Sequence, residues 1–361
     1  MSISVVVSIL NAPALTANFL SRLAELRANE EFEVVLVCDG DQNIGTQQVI
    51  GTYHGSLKPT VVVNEETLGY GAANNRGVEA ATGDVLVFMN TDVFPEETAI
   101  TKLAKTLNDN ADIGIVQALL IYPQNGKVQS CGHIFGPFFN RHALMGRPSS
   151  SQIVQRPSDR QALTSAFYAM RSSDFQRLGG FDTIYLNSHE GMELSLRVHL
   201  DGMRCFYNPT CRGFHVQGSS RQHMSIDERQ QLAIFWSRWH DKIQRDLDDL
   251  LALQLTERLR TQHYLVINSS TNLLWQSSLD ALGVQTEIIA ETALRGHSLV
   301  LQDTLVPDIK KARRPMLFLT DHFSHISKNL VWFSERPEQE DLVFDCHGNV
   351  IRIRELLQNL P

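Results

Sequence analysis

Predominantly apolar runs alternate along this chain with segments whose apolar residues recur every three to four positions. Residues 4–10, 33–38, 61–63, 85–89 and 113–120 are such runs. A strand with no polar face is expected inside a sheet that is covered on both sides. Between the first two runs, Leu15, Phe19, Leu20, Leu23 and Leu26 fall on one helical face. A glycine-bearing turn at Gly69 and Gly71 leads into a helix over 72–81, which Gly83 breaks before the next strand. Strand alternating with helix predicts an α/β fold with a doubly wound, Rossmann-like sheet.

The pattern changes further on. Residues 163–171 read as a strand, Ser172 or Ser173 caps a short helix to 178, and Gly179-Gly180 follows. Residues 204–209 form another strand. Residues 135–161 carry few periodic signals and many turn formers, so a mobile active-site loop is expected there. Ser225 to Glu228 is a capping box that opens one long amphipathic helix through Leu232, Phe235, Trp236, Trp239, Ile243, Leu247 and Leu250. A second alternation follows, with strands at 264–269, 286–290, 299–302, 316–320, 331–334 and 342–345 and helices at 273–282 and 353–360. The chain thus divides into an α/β domain at 1–224, a linking helix at 225–260 and a smaller α/β domain at 261–361. Docking, dimerisation, acceptor selection and membership of a longer multi-domain chain all stay open for the last part.

Composition narrows the classes. The 361 residues carry a formal net charge of −8 with no long basic run, which argues against a nucleic-acid partner. Nothing approaches the ~18 consecutive apolar residues of a membrane span. The N-terminus has no basic leader region and reads as a strand. We expect a cytoplasmic chain, with peripheral contact at the inner membrane face left open. Cysteines 38, 131, 205, 211 and 346 are odd in number and scattered, so reduced thiols are expected.

Candidate chemistry sits at the strand ends. The run 85–89 ends on Asn90-Thr91-Asp92, and ligands bind at the carboxyl ends of strands in such sheets. A carboxylate there is a natural oxygen ligand for a divalent cation bridging phosphates. Gly69-x-Gly71-x-x-Asn74 is a near miss of the dinucleotide fingerprint, with an acid about 20 residues on. Asp39, before Gly40, is either a turn residue or a ligand contact.

The segment from Asn64 through Leu68-Gly69 and Asn74 to Asn90-Thr91-Asp92 resembles that of family 2, GT-A-type glycosyltransferases. Residues 127–132 and Gly179-Gly180-Phe181-Asp182 resemble rhamnosyltransferase-like members, and the likeness covers about residues 1–225. It implies a transferase that moves a sugar from a nucleotide-diphosphate sugar donor to a saccharide-type acceptor hydroxyl. Asn11 opens the matching stretch, and Asp39 would contact the base. Gly69, Asn74 and Asn90 would sit at the donor. Asp92 and His215 would hold Mn²⁺ or Mg²⁺, and Arg221 would clamp the diphosphate. The family's general base registers on Gly191, which cannot take a proton. Glu190 is the expected base, with His189 beside it, and an inverting outcome is favoured. A retaining mechanism remains open, as do a non-catalytic donor- or glycan-binding subunit and a nucleotidyltransferase or dinucleotide-binding enzyme. A homo-oligomer is also possible on this reading. Glu193 and Arg197, one helical turn apart, are expected to form a structural ion pair.

Overall fold

The computed structural model describes residues 1–41, 43–136, 139–216, 228–261, 265–268, 287–288, 315–321, 341–345, 349–353 and 355. The chain forms two compact units, Met1–Gln244 and Arg245–Pro361.

In the first unit, β1 (Ile3–Ile9), α1 (Pro13–Arg27), β2 (Glu33–Asp39), α2 (Ile44–Leu57), β3 (Thr60–Asn64), α3 (Tyr70–Ala80) and β4 (Val85–Met89) wind in simple alternation. Then come β5 (Val93–Pro95), α4 (Ala99–Asp109), β6 (Ile113–Ile121), β7 (Val128–Ser130), β8 (His133–Gly136), β9 (Phe139–His142) and β10 (Ser158–Arg160). The unit closes with β11 (Phe167–Arg171), α5 (Ser172–Arg177), α6 (Glu190–Leu200), β12 (Arg204–His215) and α7 (Glu228–Trp239). The main sheet runs β10-β12-β6-β11-β4-β1-β2-β3, with β5 on β12 and β7 on β6. β11 is antiparallel to both β4 and β6, so the sheet is mixed.

Strand alternation builds a core on each face. Val5, Val7, Val34, Leu36, Val87 and Met89 pack with Phe19 and Leu23 of α1 and with Leu103 and Leu107 of α4. Val6, Val35, Leu86 and Phe88 point the other way, onto Val78 of α3 and Leu194 of α6. Gly77 lets α3 approach closely, since a Cβ there would lie 2.7 Å from Val6 Cγ1 and 2.8 Å from Val37 Cγ2. Four of the five apolar runs are buried strands because both faces are covered, whereas Thr60–Asn64 is the edge strand and leaves Val61 and Val63 exposed.

Two expectations are corrected. Residues 135–161 are not one irregular loop. His133–Gly136 and Phe139–His142 pair as an antiparallel hairpin, and Ser158–Arg160 joins the sheet edge on β12. Val154 is buried, and its carbonyl accepts from the Tyr207 hydroxyl at 2.8 Å. The single long helix is also interrupted: α7 stops at Trp239, and α8 (Leu247–Thr261) begins eight residues later. A reciprocal clamp holds the break, with Gln161 Nε2 donating to the Gln244 carbonyl at 2.7 Å and the Gln244 amide donating to Gln161 Oε1 at 2.8 Å. Helix α7 therefore belongs to the first unit.

In the second unit, β13 (Leu265–Asn268), β14 (Glu287–Ile288), β15 (Met316–Thr320), β16 (Leu342–Asp345) and β17 (Val350–Arg352) form a sheet in the order β14-β13-β15-β16-β17. Its pairings are parallel except β16 with β17. The expected strand at 286–290 is confined to two residues, and β17 was not foreseen. The expected elements at 273–282, 299–302 and 331–334 lie outside the described residues, as does most of 353–360. Among the described residues no helix is long and apolar enough to cross a membrane. The four described cysteines are buried and free, including Cys205 and Cys211 on β12.

Candidate active site

A cleft of about 490 Å³ opens at the carboxyl ends of β1, β2 and β4. Ser8 to Leu10, Asp39 and Asn90 to Asp92 reach it from these strand ends, as the parallel topology dictates. Thr164 to Ala166 and the start of α6 form another wall, and the β8–β9 hairpin a third.

Asp92 is 1% exposed and its Oδ1 lies 3.1 Å from His215 Nε2. The two elements that carry them are tied together: His215 pairs with Val93 in the β5–β12 ladder, and the Val216 amide donates to the Asp92 carbonyl at 2.9 Å. Gln129 Oε1 faces His215 Nδ1. In the neutral tautomer whose Nδ1–H donates to that amide oxygen, the Nε2 lone pair faces the Asp92 carboxylate. Two lone-pair donors facing each other suit a divalent cation that accepts both nitrogen and oxygen. Among the described residues no cluster of three or more His, Cys, Asp or Glu could hold a metal ion.

Asp39 is 4% exposed and organises the turn before α3. Its carboxylate accepts from Asn64 Nδ2 at 2.7 Å, the Leu68 amide at 2.9 Å and the Gly69 amide at 2.9 Å. The Tyr70 amide donates to Asn187 Oδ1 at 2.6 Å. Gly69, with φ of +88°, makes this turn possible. The amides that would cradle a pyrophosphate in a dinucleotide site are thus already donating to protein side chains. That geometry counts against the dinucleotide alternative.

Glu190 is the first residue of α6, is 4% exposed and lines the cleft. Gly71 leaves room for it: a Cβ at that position would lie 3.2 Å from Glu190 Cγ. The glycine at the family's base position has its own cause. A Cβ on Gly191 would lie 2.4 Å from Ser165 Oγ, 2.5 Å from Ser165 Cβ and 2.7 Å from the Ser165 amide nitrogen. Ser165 occupies the space a basic side chain would need. Burial, and then the charge of Glu190, push the Tyr70 phenol up, while its hydroxyl donates to the Ser165 carbonyl at 3.0 Å. His189 holds a left-handed φ of +70°, hydrogen-bonds Ser188 through Nδ1, and stacks on Phe235 at 5.0 Å.

Asp39, Asn90, Asp92, His189, Glu190 and His215 therefore share one cleft. Asn11 does not join them. It is exposed, at φ +45°, and its amide donates to Asp41 at 2.9 Å. Asn74 is fully buried inside α3, with Nδ2 donating to the Tyr70 carbonyl at 2.8 Å. Arg221 lies outside the described residues. The expected Glu193–Arg197 pair is present at 2.8 Å, and Arg197 also donates to the Gly180 carbonyl at 2.6 Å.

Sequence reasoning missed two features. Asn75 clamps the glycine turn, giving and taking hydrogen bonds of 2.9 Å with the Phe181 backbone. The other is the imidazole pair His133 and His142, directly opposite on the hairpin with ring centroids 4.5 Å apart. Burial first, then His142 and His189, hold the His133 ring well below the ordinary value of 6.5. Two histidines nine apart give no signal until the hairpin is known.

The mixed sheet with a polar cleft at its strand ends has a GT-A-type fold, shared with two solved structures. The structure is similar to that of GalNAc-T7 with UDP, GalNAc and Mn²⁺, at a TM-score of 0.53 and 15% identity over 79% of this chain and 55% of that one. It is also similar to the mannosyltransferase PcManGT from Pyrobaculum calidifontis in complex with GDP-Man and Mn²⁺, at a TM-score of 0.51 and 16% identity over 85% and 79% of the two chains. Residues 4–175 match the model of glycosyl transferase family 2. A curated relative, the O-antigen biosynthesis protein RfbC of Myxococcus xanthus, is 25% identical over 237 residues, which are 63% of this chain but 18% of that protein. The chain therefore spans less than a fifth of that relative's length.

Proposed function

We propose that the chain transfers a sugar from a nucleoside-diphosphate sugar to a saccharide hydroxyl, in polysaccharide or glycoconjugate synthesis. The observation that carries this is the Asp92–His215 pair, set at the end of β4 in the same cleft as buried Glu190. The name of the Myxococcus relative and the nucleotide sugars bound by the structural neighbours support the same class. Asp39 has one acceptor position beyond the three its turn uses, which suits a base N–H. Asp92 and His215 would hold Mn²⁺, with Mg²⁺ as the harder-oxygen alternative. When bound, that cation neutralises charge on the departing diphosphate.

Glu190 is the proton acceptor in this reading. Its carboxylate takes the proton of the acceptor hydroxyl as that oxygen bonds to the anomeric carbon. The bond from that carbon to the diphosphate oxygen breaks on the opposite face, and the nucleoside diphosphate leaves with the electron pair. The anomeric configuration inverts. Burial of Glu190 limits the access of bulk water to its carboxylate. Buried, unpaired thiols suit a reducing compartment such as the cytoplasm.

A panel of UDP-, GDP- and dTDP-sugars with and without Mn²⁺ tests the reading by thermal shift. A donor at a hundred times its Kd adds about 2.7 kcal/mol, or roughly 5–10 °C in a domain of this size. The metal-dependent part of the shift is expected to vanish in Asp92→Ala; an undiminished shift there overturns the metal role. A second reading, a subunit that binds donor without transfer, is favoured by Gly191. Donor binding without any turnover over a broad acceptor panel would select it.

A further inference from the structure

We propose that the β8–β9 hairpin is the acceptor subsite and that His133 recognises a hydroxyl of a neutral glycoside there. This rests on the glycosyltransferase reading. His133 and His142 are cross-strand partners, their rings tilted 37° at 4.5 Å, and both line the cleft together with Asn140 of the same hairpin. His133 Nδ1 is buried and has no hydrogen-bond partner among the described residues. Buried polar atoms are nearly always paired, so a bare one on a cleft wall points to a partner that enters the cleft.

The wall is rigid. The His133 amide donates to the Ala162 carbonyl at 2.8 Å, and the Ala143 amide to the Gly132 carbonyl at 2.8 Å. Behind it, Phe135 packs into one apolar cluster with Tyr185, Met192 and Phe235. His189, next to Glu190, stacks on that same Phe235 at 28°. The hairpin and the start of α6 thus rise from one support, so the imidazole wall and the expected base keep a fixed relation.

The chemistry of the wall selects its ligand. Burial and the neighbouring imidazoles keep the His133 ring neutral near pH 7, with one N–H donor and one acceptor lone pair. A sugar hydroxyl, which both donates and accepts, complements either tautomer. The described lining carries the carboxylates of Asp39, Asp92 and Glu190 and no lysine or arginine. With Asp39 and Asp92 engaged by the nucleotide and its cation, a uronate or phosphate on the acceptor would still meet the Glu190 carboxylate with no described lysine or arginine in the lining to offset it.

Saturation-transfer NMR tests this on the full chain with Mg²⁺ and whichever nucleoside diphosphate raises its Tm. The probes are methyl glycosides of neutral hexoses and 6-deoxyhexoses, beside methyl glucuronoside and glucose 6-phosphate. We expect the neutral glycosides alone to bind, about three- to tenfold more weakly in His133→Phe and near wild type in His133→Gln. The nucleotide-induced rise in Tm is expected to persist in both variants. Equal binding of the anionic probes, wild-type binding by His133→Phe, or no neutral glycoside bound by the wild type would each overturn the proposal. Failure of every nucleotide to shift Tm is a separate readout, and it counts against the glycosyltransferase reading itself.

Discussion

Replacing Gly191 with alanine probes why this chain lacks an acid at the family's base position. The added Cβ would stand 2.4 Å from Ser165 Oγ, 2.5 Å from its Cβ and 2.7 Å from its amide nitrogen, where real Cβ contacts essentially never fall under 3.0 Å. The hydroxyl can rotate away, but the other two atoms move only with the backbone. Helix α6 and the 164–166 segment must therefore separate by roughly half an ångström, an overpacking that costs about 1–3 kcal/mol. At ~2–4 °C per kcal/mol for a unit of this size, Tm is expected to fall by roughly 2–12 °C. Ser165→Gly removes two of the three contacts, so the double variant should regain more than half of the loss. Thermal melts of wild type, both single variants and the double variant close the cycle and isolate the coupling. A Gly191→Ala protein that melts within about a degree of wild type would refute the reasoning. Gly191→Asp is expected to be worse still and to restore no base.

Two further outcomes follow from the same geometry. Glu190→Gln is expected to lower kcat by ~10²–10⁴ while leaving the donor-induced thermal shift intact, and an unchanged kcat would remove Glu190 from the base role. Because the His133 cation is disfavoured in the fold, the unfolded chain binds more protons below about pH 6.5. Its contribution to stability is therefore level above that pH and falls as pH drops toward the depressed folded value. Tm followed from pH 7.5 to 5 should fall less steeply in His133→Phe than in wild type; identical slopes would contradict this.

The buried strands were legible because covering a sheet on both faces requires uninterrupted apolar residues. Val85 to Met89 is unmistakable, and Asp92 inherits its place from the end of that strand. The pairing of Asp92 with His215 was suggested only by resemblance, because the two residues lie far apart in the sequence. The β5–β12 ladder brings them to 3.1 Å. Asn74 shows the opposite limit. Its position in a glycine-rich run suggested a ligand contact, but helical phase turns it into the core.

Short polar elements were the hardest to read. The hairpin at 133–142 and the break after Trp239 depend on partners far along the chain, Ala162 for one and Gln161 for the other. Local sequence alone determined which strands are buried and where a strand-end carboxylate would sit. Only the tertiary structure decided that Ser165 closes position 191, that Asp39 and Asn187 occupy the amides before α3, and that two histidines share a wall. Periodicity reports burial, a property each residue carries locally, whereas a site is a set of distances between residues that the chain brings together only on folding.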